Sequence, residues 1–336
     1  MVTSHQPVAS SANYQGTDKL IIGIVLSVIT FWLFAQTTLN IAPVMGADLN
    51  ISHDLNNLAV SITALFSGIF VVVAGGLADK VGRMKMTYLG LILSIAGSLL
   101  IVLSPSGTAV FLIAGRILQG LSAACIMPAT LALVKAYFDG KERQRALSFW
   151  SIGSWGGSGL CSLFGGLVAS TVGWRWIFVI SIIVAIISYS LLRGTPESKA
   201  TVTQKQSFDW AGLIAFIIAM LALNIAIAQD SSLGWLCPAV LIGFTVFIIA
   251  TIVFFRIEKS RKNSFVDLSL FNNKTFSGAT LSNFLLNGAA GTMLVSLALV
   301  QAEAGLSSLQ SGLITIGYLV AILSTIRVGE RLLQKM

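Results

Sequence analysis

A chain of 336 residues that is 55% hydrophobic and only 10% charged, with a mean hydropathy of +0.87, lacks the polar surface of a water-soluble domain, where roughly 25% of residues carry charge. Its solvent is a bilayer. The net charge of +8 does not point to nucleic acid, because no basic stretch is interleaved with exposed aromatics, and membrane proteins keep Lys and Arg in their cytoplasmic loops.

The polar residues 1–19 read as a cytoplasmic N-terminal tail, without the basic region and small-residue site of a cleaved signal. Apolar runs at 20–44, 57–78, 86–104, 108–134, 146–170 and 174–192 follow, an N-terminal six-helix bundle over 20–192. A cytoplasmic loop, 193–210, leads to runs at 211–228 and 236–255, read as two linking helices over 211–255. After a second cytoplasmic loop, 256–275, runs at 276–300 and 312–326 form the first two helices of a truncated C-terminal bundle over 276–336. Each run is predicted as a helix, which satisfies its own backbone in lipid. The fold class is an all-α polytopic membrane helix bundle.

Basic residues set the orientation. Nineteen of the 21 Lys and Arg residues fall in the tail, in alternate loops or at the C-terminal end, and Arg116 and Arg175 are the two exceptions. Both termini are therefore expected in the cytoplasm of a cell whose plasma membrane the chain crosses. Cys125, Cys161 and Cys237 lie scattered in apolar runs, neither a disulfide framework nor a metal cluster. No metal or cofactor is expected. Neither H-E-x-x-H, G-x-S-x-G nor a P-loop occurs, so no enzyme is expected.

Three features carry a mechanism. The first is the loop between spans two and three, Gly75-Gly76-Leu77-Ala78-Asp79-Lys80-Val81-Gly82-Arg83-Met84-Lys85, where Gly82 relieves a tight turn and Asp79 can pair with Arg83. The second is Arg116, the one basic residue deep within a span. An intramembrane charge marks function by default, and Gln36, Asn40 and Gln119 are the expected side-chain partners. A structural arginine held by backbone carbonyls is the alternative. The third is span five, where Gly153, Gly157, Cys161, Gly165 and Ala169 recur at i+4 beside a second row of Ser154, Ser158, Ser162, Gly166 and Ser170, a pattern for close helix packing.

The Gly75–Lys85 loop resembles the G-x-L-a-D-r-x-G-r-k pattern of the major facilitator superfamily. Arg116, Gln119, Gly120, Ala123 and Ala124 resemble its R-x-x-q-G-x-g-a-a, and span five its antiporter motif. Gly173-Trp174-Arg175-Trp176-Ile177-Phe178, Phe208-Asp209-Trp210-Ala211-Gly212 and the stretch from Glu258 to Val266-Asp267-Leu268-Ser269-Leu270-Phe271 are similar to the fourteen-helix drug:proton antiporter branch. Over 19–335 the chain resembles the quinolone-resistance multidrug exporters of staphylococci. The resemblance implies a monomeric exporter of small amphiphilic drugs, fluoroquinolones among them, driven by proton antiport, with Arg116 in proton coupling and the Gly75–Lys85 loop in gating. Aromatics such as Phe31, Trp32, Phe34, Trp150 and Trp155 would line an apolar pocket. A carrier of another metabolite and a shortened, non-transporting membrane protein are the other readings. The chain departs from the pattern in three places. Ala35 stands where the branch carries an acidic residue, Cys161-Ser162 replaces the Gly-Pro of the antiporter motif, and no Asp or Glu lies deep in a span.

Overall fold

The computed structural model describes residues 14–200, 209–233, 236–260 and 268–335. Phe208, Val266 and Asp267, which the sequence analysis named, lie outside the described residues. The helices are α1 (Asp18–Ile29), α2 (Thr38–Leu49), α3 (His53–Val81), α4 (Arg83–Val102), α5 (Val110–Tyr137), α6 (Gly140–Ser151), α7 (Gly157–Thr171), α8 (Arg175–Leu192), α9 (Trp210–Leu233), α10 (Pro238–Ser260), α11 (Lys274–Glu303), α12 (Ser308–Ile314) and α13 (Ile316–Lys335). No strand occurs among the described residues.

Among the described residues, nine stretches are long and apolar enough to cross a membrane. They account for every predicted span except 146–170. That span is helical too, over α6, α7 and the residues between them, but its Gly- and Ser-rich composition dilutes its apolarity.

Two spans change pitch midway. The first runs from α1 through a π-helical segment, π1 (Thr30–Ala35), into α2, and the fifth from α6 through π2 (Ile152–Gly156) into α7. Side-chain caps start several helices: the Thr17 Oγ1 accepts from Leu20 N (3.3 Å), and Ser307 and Gln310 close a reciprocal capping box on α12.

The chain divides into two compact units, residues 1–201 with 297–336, and residues 202–296. In the first, two apolar cores occupy opposite ends. One gathers Leu20, Ile24, Met84, Leu133, Tyr137 and Leu192, near the basic loops. The other gathers Phe34, Ile41, Met45, Ile101, Trp174 and Phe178. Along α5, Leu112 belongs to one core and Ile126 to the other, with Arg116 and Gln119 between them. In the second unit α9 and α10 form a pair, and the Gly243 position leaves only 2.9 Å between a would-be Cβ and that of Ala226. Outer faces of both units are studded with exposed Ile, Leu and Val, such as Ile183, Ile186, Ile242 and Ile249, which lipid rather than water tolerates.

Candidate functional site

Arg116 is 1% exposed, and it is held mainly by backbone. Its Nε donates to the Ala59 carbonyl (2.9 Å), its Nη1 to the Ala35 carbonyl (2.8 Å) and to Gln119 Oε1 (2.8 Å), and its Nη2 reaches the Val60 carbonyl at 3.5 Å. The helix break after π1 supplies the Ala35 acceptor. Gln36 N–H reaches back to Phe31, Leu39 N–H to Gln36 and Asn40 N–H to Thr37, and the Ala35 carbonyl is left for the guanidinium. Thr63 Oγ1 donates to the Arg116 carbonyl (2.9 Å), and Gln119 Nε2 to Ser98 Oγ (3.3 Å). One polar layer thus joins four spans: π1, α3, α4 and α5. Glycines bring the backbones close enough for it. A Cβ at Gly115 would stand 2.6 Å from the Gly97 carbonyl, and one at Gly120 2.6 Å from that of Thr63.

Of the three expected partners, only Gln119 touches Arg116. The Ala35 carbonyl stands in for Gln36, because the helix break points a backbone oxygen, not the next side chain, at the guanidinium. Asn40 lies elsewhere, its Nδ2 donating to the carbonyls of Ser162 (2.7 Å) and Ser308 (3.1 Å).

The two small-residue rows of the fifth span face different neighbours. Gly153 lies against Val25, Gly157 against Trp32, and Gly165 against Thr37, where a Cβ would come within 2.1 Å of the methyl. Cys161 belongs to the same face, its carbonyl accepting from Thr37 Oγ1 (3.0 Å). This face receives the first span. Gly166, from the second row, abuts Ser308, whose carbonyl oxygen a Cβ there would meet at 2.3 Å, and Gly156 and Gly159 abut Leu323 and Leu319. That face receives α12 and α13. Trp32 of π1 stacks near Trp155 of π2, with ring centroids 6.4 Å apart and planes within 19°. Phe31 meets Trp32 edge-on, Phe34 meets Phe164, and Trp150 Nε1 donates to Thr130 Oγ1 (3.0 Å).

In the loop between α3 and α4, Arg83 grips Asp79 Oδ1 through Nη2 (2.8 Å) and Nε (3.0 Å). Gly75 backs onto Pro128 of α5. Gly82 turns with φ +134°, a conformation that disfavours any side chain, and a Cβ there would also strike the Glu197 carboxylate at 2.4 Å. The sequence analysis did not single out Glu197. Its carboxylate accepts from Met84 N (2.9 Å), Lys85 N (3.1 Å) and Ser198 N (3.0 Å), so an acid covers the N-terminus of α4. Around it, Arg83 N donates to the Ser198 carbonyl (2.9 Å), Ala200 N to that of Asp79 (3.1 Å), and Tyr137 Oη to that of Pro196 (2.6 Å). The segment after α8 straps the loop down.

The opposite end has its own clasp. Asp48 accepts from Arg175 and from Trp174 Nε1 (3.1 Å), Arg175 Nη2 donates to the Ser104 carbonyl (3.1 Å), and the guanidinium lies 4.4 Å from the Trp174 ring centre. Hydrogen bonding from Arg175, then from Trp174, holds the Asp48 carboxyl below the usual carboxylate range. Charge pattern held a signal for this clasp, since Arg175 is the lone basic residue of its loops. In the second unit, Asp209 and Glu258 are both buried and both approach Gly212, with carboxylate oxygens at 2.8 and 2.7 Å from a Cβ built there. Among the described residues, no three His, Cys, Asp or Glu side chains converge as a metal would need.

Helical spans with lipid-facing apolar sides, tied by a buried arginine and by charged clasps at both ends, define a multi-pass helical membrane protein. The Major Facilitator Superfamily model matches residues 20–336. The chain is 54% identical over 325 residues to the quinolone resistance protein NorB of Staphylococcus aureus strain MRSA252, covering 97% of this chain and 70% of that protein. It is likewise 54% identical to NorB of strain Newman over 321 residues, covering 96% of this chain and 69% of that protein. Among solved structures, the peptide transporter POT in complex with sulfate matches with a TM-score of 0.52 at 18% identity, over 76% of this chain and 56% of that one. That likeness concerns the fold. The chain belongs to the Major Facilitator Superfamily.

Proposed function

We propose that the chain exports small amphiphilic drugs, fluoroquinolones among them, across a bacterial plasma membrane in exchange for protons. The observation that carries this reading is the 54% identity, over 97% of the chain, to a quinolone resistance protein. In this reading both termini are cytoplasmic, α1 to α8 make the first bundle, α9 and α10 are linking helices, and α11 to α13 open a second bundle. The transporter works as a monomer. Binding between two halves that rock against each other is the general mode of such carriers, and the half-buried indoles of Trp32 and Trp155 offer apolar, planar surfaces suited to aromatic cargo.

Arg116 acts here as an organiser. A guanidinium does not release its proton in a protein, so its part in proton coupling is to hold the break after π1 in register with α3 and α5. Everted vesicles test the proposal, with norfloxacin or ethidium as cargo and an imposed proton gradient. Uptake by the chain and its loss in Arg116→Ala, at equal inserted protein, is the expected result. Uptake that ignores the gradient refutes antiport, and equal rates from both proteins refute the role of Arg116.

A further inference from the structure

We propose that residues 14–18 are a docked tether that sets how freely the loop between α3 and α4 moves, with Tyr137 as the positioning residue that relays one to the other. Placing the tether in the cytoplasm rests on the orientation proposed above; the relay itself does not.

The segment ahead of α1 is seated on the end of α5. Gly16 N–H donates to the Tyr137 carbonyl (2.8 Å), and the Tyr14 ring meets the Tyr137 ring edge-on, with centroids 5.0 Å apart and planes at 78°. The fit requires glycine at 16, since a Cβ there would enter the Phe138 ring at 2.2 Å. Thr17 then caps α1, and Asp18 pairs with Arg145 of α6 (3.0 Å). That ion pair is exposed on both sides and adds little.

Tyr137 has a second side. The residue is 4% exposed, and its Oη donates to the Pro196 carbonyl (2.6 Å). Pro196 opens the strap that follows α8. Within it, Glu197 covers the first turn of α4, the Ser198 carbonyl accepts from Arg83 N (2.9 Å), and Ala200 N donates to the Asp79 carbonyl (3.1 Å). One buried ring therefore stands between tail and loop, braced by Tyr14 at its edge and bonded to the strap at its hydroxyl. A phenol held in one orientation keeps its O–H aimed at the acceptor, and one that rocks loses that alignment.

The holds on the loop are unequal. The Asp79–Arg83 pair and the Glu197 cap use charged groups, and the strap adds two backbone bonds. The tail offers one backbone bond and one ring edge, from the half-buried Gly16 and Tyr14. Such a weakly held segment opens first, and it can be drawn aside without shifting a span. Whatever draws residues 14–16 away then loosens the loop at a distance, which makes the tail a regulatory input.

Hydrogen exchange of the full chain in nanodiscs, resolved to single amides, reads the relay at Arg83 and Ala200. Gly107 N–H, bonded to the Leu49 carbonyl (2.8 Å) at the opposite end, is the internal control. Tyr137→Phe keeps the ring, removes one buried bond and is expected to speed exchange at both amides about fivefold. Tyr14→Ala removes the bracing edge and is expected to speed it about threefold. The double variant is expected to match Tyr137→Phe alone, because the tail acts through the hydroxyl. Unchanged exchange in either single variant overturns the proposal. So does a double variant that multiplies the two effects, to about fifteenfold. Equal acceleration at Gly107 also overturns it, since both residues would then support the bundle as a whole. Exchange needs no cargo, so failure of the drug-export reading is seen separately in the vesicle assay.

Discussion

Removing the Glu197 carboxylate is the sharpest test of how the loop between α3 and α4 is held. Glu197→Ala strips three N–H groups of their acceptor, those of Met84, Lys85 and Ser198 at 2.9, 3.1 and 3.0 Å. A charge-assisted hydrogen bond contributes roughly 1.5–3 kcal/mol when shielded from water, and an N-terminal cap roughly 0.5–2 kcal/mol. The Glu197 side chain is only half-buried, and Ser198 is its chain neighbour, so the low end applies: about 1.5–3 kcal/mol for the whole set. Local opening of the first turn of α4 should then become on the order of ten- to a hundredfold more frequent. Hydrogen exchange in nanodiscs reads this directly at the amides of residues 83–86. Glu197→Gln keeps an acceptor oxygen and loses the charge, so its acceleration should be only about threefold to fivefold. Unchanged protection at Met84 and Lys85 in Glu197→Ala would refute the capping role. Exchange that quickens equally around Arg116 would show instead that the strap supports the whole bundle.

Three other outcomes follow from the same geometry. Gly165→Ala forces the Thr37 methyl aside, since a Cβ comes within 2.1 Å of it, and should cost about 1–3 kcal/mol of stability, read as earlier exposure of Cys161 to a thiol-reactive dye on heating. Gln119→Leu leaves Arg116 Nη1 with the Ala35 carbonyl alone and Ser98 without its donor, and should cost about 1–3 kcal/mol in the same assay. Because the folded Asp48 carboxyl is held below its ordinary 3.8, its clasp contributes fully above that value and is lost only as pH falls through the lower folded value. Fluorescence of Trp174 in a variant lacking the other indoles should thus stay flat over roughly pH 5–8 and change below about pH 4, and a transition near neutrality would contradict the assignment.

Much of the architecture was legible because lipid leaves few choices. Apolar runs placed the nine stretches that, among the described residues, are long and apolar enough to cross a membrane, and 146–170 is helical as well. They did not foresee the π-helical segments at 30–35 and 152–156, since a change of pitch leaves the apolar composition unaltered. This is why the Arg116 layer was only half readable. The residue, its burial need and Gln119 follow from sequence, but the decisive acceptor is a backbone carbonyl released by a helix break, and no side chain announces it. Glu197 was passed over for a related reason. Its role depends on a loop folding back 112 and 113 residues to meet Lys85 and Met84, and a single acid among basic residues reads locally as charge balance.

The small-residue rows of the fifth span let one helix receive two neighbours. Its Gly153–Gly157–Cys161–Gly165 face meets the first span, with Thr37 Oγ1 bonded to the Cys161 carbonyl (3.0 Å). The Gly166 side meets α12, where a Cβ at Gly166 would stand 2.3 Å from the Ser308 carbonyl. Backbones approach closely on both faces, and a side chain added at Gly165 or at Gly166 would press a neighbour away, so the span needs small residues on both. That is why one row of i+4 glycines, enough for a single partner, is doubled here.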